Sequence, residues 1–220
     1  MNVVIHGIGW GILAAAMMLP MKAVARKRGA KETRRGWRTV VMCLILVAVS
    51  VLEGCRIATR DFLIAEEVRL TISYFLILGA AVIDEKMRII PNFIPGIMVL
   101  SSLVIVAIKA LMGGNVGIDL AGAILGALLC GVVLGIADKA SKGGIGKGDI
   151  KLLMAHGFLC GTNIVFSTLL LALLCCAVFS AGMVLLKKCT AKDHLAFGPF
   201  LYVGYAVMLL SLIHISEPTR

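Results

Sequence analysis

The sequence predicts an all-α fold: a polytopic membrane helical bundle of about eight transmembrane segments, one of them short and partly re-entrant. Three observations carry this reading. Of 220 residues, 60% are hydrophobic and only 15% charged, with a mean hydropathy of +1.01, which is a membrane composition. The apolar residues fall in long blocks, several near the ~20 residues needed to cross a hydrocarbon layer roughly 30 Å thick. The third observation is that Lys and Arg sit in the short stretches between blocks and are distributed unevenly among them.

The first block, residues 3–21, has no Lys or Arg before it and a cluster after it. That reverses the charge order of a signal peptide, so a retained first span is expected. Further spans are expected at 39–55, 68–83, 93–112, 117–137, 163–186 and 197–213. Residues 150–160 form a short apolar segment that rises only about 16 Å. It must be partly re-entrant, line a water-filled cavity or thin the bilayer.

Counting that segment as a crossing, with the N-terminus outside, puts loops 22–38, 84–92, 138–149 and 187–196 in the cytoplasm. These loops hold 16 of the 22 Lys and Arg residues, as the positive-inside bias requires. The formal charge of +10 therefore reads as topology and attraction to an anionic lipid bilayer, and no nucleic-acid partner is expected. Seven cysteines, none in C-x-x-C spacing, read as small buried hydrophobes. No metal and no cofactor is expected.

Acids beside a bilayer are costly, which makes Asp84, Glu85, Asp138, Asp149 and Asp193 the candidates for chemistry. Asp149 follows four glycines in Lys142-Gly-Gly-Ile-Gly-Lys-Gly-Asp149 and leads into the short segment. Those glycines permit close backbone approach to a substrate, yet an ordinary N-cap fits Asp149 equally well. The phosphate-loop spacing is absent. Asp84 ends the third span, seven residues before Pro91, which fixes a rigid turn. Lys86 and Arg88 beside it read as solvated charges. Two acids on one membrane face suit a water-activating pair, one taking a proton from water while the other polarises a carbonyl. His156, two helical turns past Asp149, reads as a neutral, hydrogen-bonded histidine.

Three stretches resemble the type IV prepilin peptidases, membrane aspartic peptidases with a G-x-G-D motif. They are Ile83-Asp84 with Ile90-Pro91-Asn92, Gly143 to Lys151 around Asp149, and Ala196-Phe197-Gly198-Pro199-Phe200-Leu201. The resemblance covers roughly residues 68–210. It implies that Asp84 and Asp149 are the catalytic pair and that Gly146 and Gly148 shape the Asp149 loop. By analogy, Phe197, Gly198 and Pro199 position substrate, though a plain helix-entry turn also explains them. Lys151 either tunes a carboxylate or marks topology. The implied partner is a pilin or pseudopilin precursor with a basic leader and a hydrophobic N-terminal helix, cut at the cytoplasmic face of a bacterial inner membrane. The resemblance leaves the oligomeric state unknown.

Many bacterial members carry paired C-x-x-C motifs and also methylate the new pilin N-terminus. Loop 22–38 is basic and cysteine-free, so peptidase activity without methyl transfer is expected. The division expected is a two-span N-terminal region at 1–67, a peptidase core at 68–213, and a tail at 214–220 that looks like translated adapter or a truncated reading frame. Two other functions fit parts of the pattern: a small transporter or channel with a broken-helix site near Asp149, and an inactive scaffold for pilus assembly.

Overall fold

The computed structural model describes residues 8–16, 48, 50–51, 64–141, 143–186 and 196–211. Most of the expected span 39–55, most of the first span, loop 22–38, Asp193 and the tail lie outside these residues. All seven helices described are α-helical: α1 (residues 8–16), α2 (Ile64–Met87), α3 (Phe93–Leu111), α4 (Val116–Ala140), α5 (Lys147–Cys160), α6 (Thr162–Leu185) and α7 (Gly198–Ser211). No strand occurs among the described residues.

Helices α3, α4 and α6, at 19, 25 and 24 residues, are long and apolar enough to cross a membrane, and α7 is a shorter apolar helix. Their outward faces carry exposed aliphatic residues such as Leu100, Leu103, Leu125, Leu128, Leu170 and Leu174, as a lipid-facing surface requires. Breaks fall at Pro91-Asn92, Gly113-Gly114 and Gly161. Gly161 has φ +85, a left-handed conformation open to glycine and costly for other residues. It turns the chain sharply from α5 into α6.

Short α5 packs against α2, α3, α4 and α6, burying Leu152, Leu153, Ala155, His156 and Leu159. Two features fix it there. On the α4 side, Gly126 and Gly157 face one another so closely that a Cβ on either would stand 2.5 or 2.6 Å from the other's carbonyl oxygen. On the other side lies His156, fully buried. The Thr168 hydroxyl donates to the Ile164 carbonyl at 2.8 Å, so its oxygen accepts from His156 Nε2–H at 3.4 Å. Nδ1 then accepts from the Ser73 hydroxyl at 2.7 Å. His156 is thus the neutral histidine expected from sequence, tying α2 to α5 and α6.

His156→Leu removes that link and takes the acceptor at 2.7 Å from the buried Ser73 hydroxyl, while Thr168 keeps its bond to the Ile164 carbonyl. It should lower unfolding free energy by about 2 kcal/mol, read as an earlier melting transition of the purified protein in detergent. At one end of the bundle, Asp119 of α4 pairs with Lys109 of α3 at 2.9 Å and Arg69 of α2 at 3.5 Å. Asp84 lies at the other end of α2, about 22 Å along the helix from Arg69.

Candidate active site

Asp84 occupies the last turn of α2, one residue beyond the apolar run that ends at Ile83. It is 5% exposed. Its Oδ2 accepts a 2.8 Å hydrogen bond from the backbone N–H of Gly198, the first residue of α7. The positive end of that helix dipole thereby meets a carboxylate. Gly198 is required for this approach, because a Cβ there would lie 2.9 Å from both Asp84 Cβ and Oδ2. Pro199 follows in the first turn of α7, where a missing N–H costs nothing.

Asp149 sits in the first turn of α5, three residues after the capping residue, which is Gly146. The N-cap reading of Asp149 is therefore corrected: the structure shows no side-chain capping bond at this helix end. The side chain points instead into a cavity, its Oδ2 so near Gly146 that a Cβ there would stand 2.6 Å away. Its Oδ1 is buried with no hydrogen-bond partner among the described residues. Gly148 packs against Ile90, whose Cβ would be 3.2 Å from an added Cβ, and so seats α5 on the turn that follows Asp84.

The glycine loop is held in place. Asp138 Oδ1 accepts from Ile145 N–H at 3.2 Å, and Ser141 Oγ accepts from Gly144 N–H at 3.2 Å. Asp138, one of the acids singled out from sequence, thus acts as a loop fastener. Lys151 Nζ donates to Asn92 Oδ1 at 3.4 Å, joining α5 to the start of α3; no bond from Lys151 to either aspartate is present. Pro91 is buried in the turn between α2 and α3, its carbonyl accepting from Ile94 N–H at 3.2 Å.

Asp84 and Asp149 line the same two cavities. One, of about 440 Å³, has an apolar wall that includes Leu134, Leu153, Leu173 and Phe197. The other, of about 550 Å³, adds Pro91, Asn92, Gly148, Lys147 and Lys151. Arg88 lines both. The carboxyls differ in character. Burial, with the negative charge of Asp84 added, pushes Asp149 up to about 7. Burial also raises Asp84, opposed by the Gly198 N–H and the Arg88 cation. One acid is therefore held partly protonated near neutrality while the other has two groups that favour its ionised form.

The model of the type IV leader peptidase family matches residues 70–181. The chain belongs to this family. It is accordingly a peptidase, a hydrolase, and the apolar helices make it a membrane protein. Both aspartate motifs fall inside the matched stretch, whereas Phe197, Gly198 and Pro199 lie beyond it. Among curated proteins and among solved structures, nothing matches the chain. Sequence reasoning passed over Arg88 as a solvated charge. It also gave no sign that Gly198 would donate to Asp84 across 114 residues of chain.

Proposed function

We propose that the protein is a membrane-embedded aspartic endopeptidase that removes the short basic leader of type IV pilin-like precursors at the cytoplasmic membrane face. The observation that carries this reading is the shared cavity: Asp84 and Asp149, from two different helices, line one space, and the Asp84 charge acts on Asp149. Neighbouring carboxyls in a poorly solvated site favour holding one proton between them.

Asp84 is the base and Asp149 the acid. Asp84 takes a proton from water as the water oxygen attacks the scissile carbonyl carbon, and Asp149 gives its proton to the carbonyl oxygen. The resulting tetrahedral diol collapses when Asp84 returns its proton to the amide nitrogen. The C–N bond breaks, and a diol proton goes back to Asp149. The unpartnered Asp149 Oδ1 leaves a carboxyl atom open for the carbonyl, and the apolar wall suits the hydrophobic helix that follows the leader.

Loop charges favour eight crossings, an outside N-terminus and a site facing the cytoplasm of a bacterial inner membrane. Loop 22–38 is basic and cysteine-free, which supports peptidase activity without methyl transfer. The test is to incubate purified protein in detergent with a pilin-like precursor and to weigh the product by mass spectrometry. A shortened, unmethylated pilin is expected. An intact precursor overturns the peptidase reading, and because detergent sustains no gradient, cleavage there cannot be mistaken for transport.

A further inference from the structure

Arg88 has φ +53, the one positive φ outside glycine among the described residues. Its N–H donates to the Asp84 carbonyl at 2.8 Å, closing α2 in the left-handed arrangement that helices ordinarily give to glycine. A long side chain at such a position is locally disfavoured, and strain of this kind persists where the surroundings use it. The use is visible: Arg88, though exposed to solvent, lines both cavities that hold Asp84 and Asp149.

We propose that Arg88 is a positioning residue of the aspartate pair, its cation turned toward Asp84 by the left-handed backbone so as to fix which carboxyl acts as the base. The inference rests on the peptidase reading above. The other groups around Asp84 do not duplicate this role. The α7 end contributes the Gly198 N–H, which stays in any Arg88 variant. Lys147 and Lys151 project from α5, beside Asp149, and Lys151 is engaged by Asn92. Glu85 is exposed. From α4 and α6 the cavity receives only Leu134, Leu173 and the thiol of Cys176.

Position 88 allows an unusually clean test, because Arg88→Gly relieves the backbone while deleting the charge. Precursor cleavage is measured across pH for the wild type, Arg88→Gly and Arg88→Lys. Without the cation Asp84 is harder to ionise, so the acid limb of the kcat/KM profile should move upward by about half a pH unit, the size of effect expected of a solvent-screened charge. The rate should return toward wild type at higher pH, and Arg88→Lys, which keeps a cation, should hold the acid limb close to its wild-type position. Arg88→Gln supplies the same comparison if the glycine variant folds poorly. An unmoved acid limb overturns the proposal. So does a loss uniform in pH, which would mean that Arg88 acts by touching substrate. Failure of the parent reading is distinguishable, since Asp84→Asn and Asp149→Asn would then still process precursor.

Discussion

Asp84→Asn and Asp149→Asn should each lower precursor cleavage by roughly 10²- to 10⁴-fold, the usual worth of a positioned acid or base. The double variant should be hardly worse than the more impaired single one, because residues acting as a unit lose their function together. Asparagine nearly preserves the volume of each side chain. At position 84 it keeps an oxygen to accept from Gly198 N–H, so folding should survive and the loss should be chemical. Steady-state cleavage by variants with unchanged melting transitions is the check. Near-wild-type processing by either variant contradicts the assignment of that residue.

The largest structural effect is expected at the α4–α5 contact. Gly157→Leu or Gly126→Leu would drive a side chain into the facing backbone, where even a Cβ stands 2.6 or 2.5 Å from a carbonyl oxygen. Neither oxygen is the tip of a flexible side chain, so the two helices must separate. Overpacking of this severity should cost about 3 kcal/mol or more. Because α5 carries Asp149, activity should fall with stability. Thermal denaturation in detergent measures the first and precursor cleavage the second; a leucine variant that melts like the wild type would show that α5 is free to shift.

The helical architecture was largely legible in the sequence. The expected spans 93–112 and 163–186 became Phe93–Leu111 and Thr162–Leu185, since apolar blocks bounded by Pro91, paired glycines and Gly161 leave little choice of boundary. At α5 the hydropathy pattern began at residue 150, whereas the helix starts at Lys147. A polar first turn is invisible to an apolar pattern. The same error of three residues produced the N-cap reading of Asp149.

The two aspartates were found through their motifs and their cost near a bilayer, but their environment was not. Asp84 meets Gly198 through tertiary packing of α2 against α7, and no local pattern encodes a contact between residues so far apart in sequence. The backbone conformation at Arg88 was missed for a sharper reason. A left-handed backbone contradicts the local preference of arginine, so propensity pointed away from the conformation it adopts. His156 was readable as neutral and paired, though Ser73 and Thr168 were not readable as its partners.

The central claim is that the two carboxyls are electrostatically coupled across one cavity, and carboxyl titration tests it most directly. In protein carrying ¹³C-labelled aspartate, followed by NMR over a range of pH, one carboxyl assigned to Asp149 should titrate near 7. In Asp84→Asn the neighbouring negative charge is gone, the ionised form of Asp149 is less penalised, and its midpoint should fall. An Asp149 that titrates in the ordinary carboxylate range, or whose midpoint is indifferent to the residue at position 84, would contradict a coupled pair.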